Sequence, residues 1–393
     1  MIRLGPSRGL DAFNFLVAAS QTGFGAFIPA YLATHAWTQV EIGIVLTIQT
    51  VTTIVLQVPA GMLVDATRKR GRLVSWAVLV VGFAALLLAV LPMRLPVAMA
   101  LILQAGASGL IYPAIAAISL AIAGRAGLSL RLGRNASYAA IGGGVGAAAM
   151  GLLGSAIGPR WVFVMAAVMS AAAALCLRLT RPPKVRTVDA ALPTLEEDIA
   201  HAHPFSLLRD RRVLIFAVCI VLFNLSSGAL LPVAAVEMTR RMGPSSGMLI
   251  AAWIIIPQVV VALLSPLAGQ LAEHRGRRPV LVAGFMMLPL RGLLFMLIAN
   301  PYALGAVQVL DGLAGAAYGL MIPLMANDVT RGTNRASLCL SLFGLAGAFG
   351  SALSTTLAGV TVAAAGISVA YGLMTLAGLL AVLVAYLALP ETK

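Results

Sequence analysis

Apolar residues along this chain come in runs of about twenty, separated by short polar connections, and the pattern repeats for the whole length. A run of that length matches the roughly 30 Å hydrocarbon core of a bilayer when coiled as an α-helix. Twelve such spans are expected, at about 12–33, 42–63, 73–91, 97–123, 135–157, 161–179, 213–237, 247–271, 280–299, 302–327, 337–361 and 367–389. Glycine and proline recur inside them, which membrane helices tolerate better than soluble ones. One polar stretch is long. Residues 181–212 hold Pro182, Pro183, Pro193, Glu196, Glu197 and Asp198, and read as a cytoplasmic linker, part of it able to form a surface helix. The expected division is a six-helix bundle over 1–180, the linker over 181–212 and a second six-helix bundle over 213–393.

The halves repeat each other. Gly25-Ala-Phe-Ile-Pro29 in span 1 matches Gly228-Ala-Leu-Leu-Pro232 in span 7. Gly106, Gly109 and Tyr112 in span 4 have the spacing of Gly312, Gly315 and Tyr318 in span 10. Asn135-Ala-Ser137 before span 5 resembles Asn334-Arg-Ala-Ser337 before span 11. Offsets near 200 residues mark one duplicated six-helix unit.

Composition narrows the class. The 393 residues are 60% hydrophobic and 10% charged, against about 25% charged in soluble domains. A formal net charge of +14 raises the question of nucleic acid. A nucleic-acid binder presents a basic face on a polar fold, whereas here the basic residues sit in a few short loops, so none is expected as a partner. Of the 27 Lys and Arg residues, 22 fall on the side holding both termini, four (Arg94, Arg160, Arg240, Arg241) on the other, and Arg291 lies within a span. The positive-inside bias then puts both termini in the cytoplasm. Arg3 and Arg8 precede the first apolar run, which lacks a small-residue cleavage site and is read as a retained helix. The three cysteines (Cys176, Cys219, Cys339) lie apart inside apolar runs and define no metal or disulfide framework.

A basic loop occurs twice, and the rest is organised around it. One copy runs Gly61-Met-Leu63-Val64-Asp65-Ala-Thr-Arg68-Lys69-Arg70-Gly71-Arg72-Leu73. The other runs Gly269-Gln-Leu271-Ala272-Glu273-His-Arg275-Gly276-Arg277-Arg278-Pro-Val-Leu281. Both resemble the signature loop of the major facilitator superfamily, roughly G-x-L-a-D-r-x-G-r-r-x-x-l, between helices 2 and 3 and again between 8 and 9. Glu273 replaces the usual Asp in the second copy, and Arg68 the usual Gly in the first. The resemblance implies an all-α integral membrane protein: twelve helices in two pseudo-symmetric six-helix bundles, parallel about an axis along the membrane normal. It also implies a conformational latch made by Gly61, Asp65, Arg70, Gly269, Glu273, Gly276 and Arg277, and a substrate cavity lined mainly by helices 1, 4, 7 and 10.

Polar residues within those four helices are the candidates for chemistry. An ionisable group at mid-membrane costs several kcal/mol unless paired, so each is a functional hypothesis. Asp311 lies about nine residues into span 10, and its duplicate in span 4 is Ala105. A carboxylate there can load and release a proton as its surroundings open and close. Its structural alternative is a pair with Arg291 in span 9; Arg291 turned to the cavity would instead grip an anionic substrate by a forked contact. Asn14, Gln21 and Thr22 form a polar stripe in span 1; Asn224, Ser226 and Ser227 form its counterpart in span 7. Together with Gln104, Ser108, Tyr112 and Tyr318 they are read as substrate-facing, against the plainer role of interhelical hydrogen bonding. Trp253 and Gln258 in span 8 either line the cavity or pack. Asp11, Glu41, Glu237 and Asp328 lie at span ends and read as wet or capping acids. Gly142, Gly143, Gly144, Gly146, Gly151 and Gly154 thin span 5, as Gly344, Gly347 and Gly350 thin span 11, allowing close, sliding helices. The Gly-Pro-x-x-Gly-Gly kink of proton-driven exporters lacks its proline here.

No G-x-x-x-x-G-K-[ST] loop, metal cluster or nucleophile elbow occurs. The expectation is therefore a non-enzymatic, cofactor-free secondary transporter of the bacterial inner membrane, monomeric and working by alternating access. Proton-coupled export of a drug-like or metabolic compound is the first reading. Uptake of a small organic acid is the second. A non-transporting sensor or assembly partner with the same fold would need neither Asp311 nor the two loops.

Overall fold

The computed structural model describes residues 5–22, 24, 27–35, 37, 39–179, 207, 209–242, 246–331 and 335–389. Nearly all of the linker expected over 181–212, with its surface helix, lies outside them. The described residues form helices and no strand. In chain order these are α1 (Pro6–Thr22), α2 (Phe27–Thr34), α3 (Gln39–Ala66), α4 (Arg70–Val90), α5 (Arg94–Ala123), α6 (Leu128–Ile157) and α7 (Arg160–Leu179). The chain continues with α8 (Arg211–Ser227), α9 (Leu230–Met242), α10 (Ser246–Arg275), α11 (Arg277–Leu297), α12 (Pro301–Val329), α13 (Ala336–Ala365) and α14 (Ile367–Leu387).

Among the described residues, 11 helices are long and apolar enough to cross a membrane. The first expected span is described as two helices, α1 and α2, with residues 23, 25 and 26 between them outside the described residues. Span 7 is likewise built from α8 and α9. The break in span 7 falls at Gly228-Ala-Leu-Leu-Pro232, the second of the matched segments. Proline lacks an N–H and its ring clashes with the preceding turn, so helices kink or stop there. In the second copy the Gly228 N–H still reaches the Asn224 carbonyl at 2.8 Å before α9 begins at Leu230, with Pro232 in its first turn.

Two compact units emerge: residues 1–204 with 332–341, and residues 205–331 with 342–393. The first turns of α13, to Ser341, therefore cluster with the first unit. In the first unit α4 packs on α5 and α7, α3 on α5, and α1 on α6 and α7. The second unit repeats four of these pairings: α11 with α12 and α14, α10 with α12, and α8 with α14. The first core is filled by Phe13, Tyr31, Leu88 and Phe163, among others; the second centres on Trp253, Phe295, Tyr371 and Met374. Large apolar side chains also cover the outside, among them Trp76, Phe83, Leu95, Leu152 and Leu383. A water-soluble protein rarely exposes so much apolar surface, whereas hydrocarbon tails solvate it.

Of the acids read as wet or capping helix ends, Asp11 is buried and Asp328 half-buried, and both are paired. Asp11 is 4% exposed and pairs with Arg131, and with Arg134 at 2.6 Å. Arg131 also donates from Nε to Asn135 Oδ1 at 2.9 Å, and Asn135 donates to Ser119 Oγ at 2.6 Å. Asp328 pairs with Arg277. The arginines in question lie about 120 and 50 residues away in sequence, so only packing reveals these partners. Glu41 pairs with Arg94 at 2.5 Å, closer to the expected exposed role.

Candidate functional site

The second unit holds the charged cluster. Arg291 projects from the middle of α11 and is 1% exposed; Asp311 lies on α12, its side chain 26% exposed. The two form an ion pair through Arg291 Nη1 and Asp311 Oδ1. Ser227 at the end of α8 joins them, accepting from Arg291 Nη1 at 3.0 Å and donating to Asp311 Oδ1 at 3.2 Å. Gln308, one turn before Asp311 and wholly buried, accepts from Arg291 Nη2 at 2.9 Å. Three helices are thus tied to one guanidinium. Both hydrogen bonds to Asp311 end on Oδ1; Oδ2 accepts none from the described residues and belongs to the exposed part of the side chain. Two buried donors, Arg291 Nε and Gln308 Nε2, have no acceptor among the described residues.

Next to it, Asn224 of α8 donates to the Tyr318 hydroxyl at 2.7 Å and to the Ile220 carbonyl at 2.9 Å. It accepts from Ser351 Oγ at 3.2 Å. Tyr318 stacks on Phe223 with ring centroids 3.9 Å apart and planes within 4° of parallel. Ser226, by contrast, donates to the Met374 carbonyl at 2.8 Å and is a packing contact.

The first unit carries a neutral cluster instead. Gln21 of α1 donates to Ser108 Oγ at 2.8 Å and accepts from Gln104 Nε2 at 3.1 Å, while Gln104 also reaches Ser108 at 3.1 Å. Gln49 of α3 completes it, donating to Gln104 Oε1 at 2.8 Å. Three side chains singled out from the sequence come together here, with one that was not. The remaining candidates stand apart. Asn14 is buried and donates to the Leu10 carbonyl of its own helix at 2.7 Å. Thr22 bridges from the Ala18 carbonyl to that of Gly143 on α6. Tyr112 is exposed one turn beyond Ser108 on α5. Trp253 is fully buried against Phe295 and packs; Gln258 is exposed.

Gln49, Gln308 and Ser351 were missed. Gln308 had a usable signal, since it lies three residues before Asp311 and shares its helix face. Gln49 and Ser351 sit on helices outside the four cavity candidates, where an isolated polar residue carries little information.

The paired loops differ in detail. Asp65, in the last turn of α3, accepts from the backbone N–H of Ser337 at 3.1 Å and of Leu338 at 2.8 Å. Those are orphan donors in the first turn of α13, and a carboxylate there is favoured by hydrogen bonding and by the helix dipole. Gly61 permits the approach: a Cβ on it would collide with the Ser337 carbonyl oxygen and the Ser341 side chain. Arg70 closes the turn weakly, Nε to the Val64 carbonyl at 3.4 Å. In the second copy Gly276 is the single residue between α10 and α11, at φ +94°, a conformation that favours glycine. The first copy spreads its turn over residues 67–69, so Arg68 stands in a longer connection at the corresponding place. Gly269 is buried in α10 and Glu273 occupies its last turn. Arg277 begins α11, pairs with Asp328 and donates to the Leu324 carbonyl at 3.1 Å. Asp65→Ala is expected to cost about 1 kcal/mol by exposing the α13 donors. A detergent melt should show Asp65→Ala least stable, Asp65→Asn between, and wild type most stable; equal melting of all three would count against the capping role.

A helical membrane protein with two repeated units, polar clusters inside its helices and paired basic loops belongs to the class of multi-pass secondary transporters. The sequence profile described as Major Facilitator Superfamily matches residues 12–257 and 216–393. A relative in two strains of Mycobacterium tuberculosis, described as an uncharacterised MFS-type transporter, is 34% identical over 403 residues, covering 98% of this chain and 93% of its own. This chain therefore belongs to the major facilitator superfamily. Solved structures agree on the fold. The transporter FucP in its outward conformation aligns with a TM-score of 0.76 at 14% identity, over 97% of this chain and 98% of its own. The human organic anion transporter TETRAN aligns with a TM-score of 0.74, also at 14% identity, over 96% and 98%.

Proposed function

We propose that this transporter exports a small drug-like or metabolic compound in exchange for protons, with Asp311 as the coupling group. The observation that carries this reading is the asymmetry of Asp311. One oxygen is held by Arg291 and Ser227, and the other is open. A carboxylate placed so can surrender its arginine to accept a proton, and recover it on release. Arg291 is buried and its charge is matched by Asp311, which favours a proton or a basic ligand at this site over an organic acid. Gln21, Gln49, Gln104 and Ser108 in the first unit, and Asn224 and Tyr318 in the second, offer the neutral hydrogen-bonding groups a mostly apolar compound needs for orientation. The loops at Asp65 and Glu273 act as latches during alternating access, and both termini face the cytoplasm of a bacterial inner membrane.

The test is tolerance to a panel of toxic compounds in cells overproducing the protein, beside cells overproducing Asp311→Asn. Raised tolerance that the variant loses supports export through Asp311. Lowered tolerance means import, and would transfer support to uptake of an organic acid.

A further inference from the structure

A cleft of about 320 Å³ opens in the first unit between the start of α1 and the start of α6, lined by Arg8, Asp11, Ala12, Phe15, Arg134 and Tyr138. The function proposed above makes no use of it. Arg8 is exposed and forms no ion pair among the described residues. Arg134 keeps 48% of its side chain exposed although one nitrogen rests on Asp11, and its guanidinium lies 5.7 Å from the Tyr138 ring centre. Behind them the buried Arg131 also engages Asp11. Three guanidinium groups against one carboxylate leave the cleft positive. One helical turn deeper, at i+4 from Asp11 and from Arg134, stand Phe15 and Tyr138, an apolar and aromatic wall.

We propose that this cleft binds the phosphate headgroup of an anionic phospholipid, with Arg8 and Arg134 on the phosphate and Ala12 and Phe15 against the first carbons of the lipid. Charge complementarity selects the anion. A guanidinium with donors to spare suits phosphate oxygens better than a point charge does. The apolar wall selects an amphipathic ligand over a free ion. Position agrees: both helices begin here, so the arginines stand near headgroup level and Phe15 toward the acyl region. Basic pockets between membrane helices take acidic headgroups by this chemistry.

Native mass spectrometry of the full chain in detergent, titrated with phosphatidylglycerol or with phosphatidylcholine of the same acyl chains, tests the assignment. Phosphatidylglycerol should bind in preference, and Arg8→Ala should weaken the first bound lipid about fivefold, the ratio one basic residue near an anionic headgroup supplies. Arg8→Glu should weaken it further. Arg212→Ala, an exposed arginine in the second unit, should leave it unchanged. Equal binding of the two lipids, or equal weakening by Arg8→Ala and Arg212→Ala, would overturn the site. Displacement of the lipid by excess inorganic phosphate would make it a soluble-anion site instead.

Discussion

Asp311→Asn should abolish coupled transport and also lower thermal stability, and only the second loss should be recovered by adding Arg291→Gln. Arg291 is 1% exposed and its one acidic partner among the described residues is Asp311. Removing the carboxylate leaves a buried guanidinium uncompensated, which costs about 3–5 kcal/mol. Neutralising both members removes that penalty, since a buried pair replaced whole is often near neutral. Ser227 and Gln308 can then bond the introduced amide. Stability and transport therefore separate in the double variant. A melt in detergent reads the first, and uptake or efflux of whichever compound the tolerance panel identifies reads the second. If the double variant regained both, Asp311 would be a clamp between α11 and α12 and not a coupling group. If Asp311→Asn alone transported normally, the proton-coupling proposal would fall with it.

Gly142→Val should prevent stable folding, and Gly350→Val should do the same in the second unit, while Gly144→Val should be mild. A Cβ on Gly142 would drive into the carbonyl oxygen of Phe15 on α1, and one on Gly350 into that of Val221 on α8. Both obstacles are backbone atoms, so no side-chain rotation relieves them and one helix must move off the other. Gly146 sits one turn further along the first contact, against Ala19. Overpacking a core typically costs 1–3 kcal/mol, and these contacts allow less relief than a side chain would. Gly144 and Gly151 meet nothing within 4 Å. Alanine at those two positions should be neutral or slightly stabilising, by up to about 1 kcal/mol of helix propensity. Melting temperatures of Gly142→Ala and Gly144→Ala give the gentler comparison. Equal values would show that α1 is free to shift, contrary to the close approach described.

Six glycines in span 5 read alike as thinning residues, but they divide into contact and open positions. Helical geometry explains the division: Gly142 and Gly146 are four apart and share the face toward α1, whereas Gly144 points elsewhere. The period was in the sequence. The identity of the neighbour was not.

Chain-local physics settled most of the architecture beforehand. Runs near twenty apolar residues can only be spanning helices, because in hydrocarbon every backbone group must be bonded within its own segment. The repeated Gly-x-x-x-Pro was legible as a mark of duplication, whereas spans 1 and 7 each read as continuous and the division of span 7 into α8 and α9 came only from the structure. Asp311 was visible as a charge at membrane depth, and the basic loops as a repeated motif. Partners were decided by packing alone. Whether Asp311 met Arg291, which glutamine completed the Gln21 cluster, and whether Asp11 and Asp328 were wet depended on residues 20 to about 120 positions apart. A hydrophobic pattern specifies which face of a helix turns inward and roughly how deep each residue lies. It does not specify which helix stands opposite, and a polar group's energy in a membrane depends on that neighbour more than on its own position.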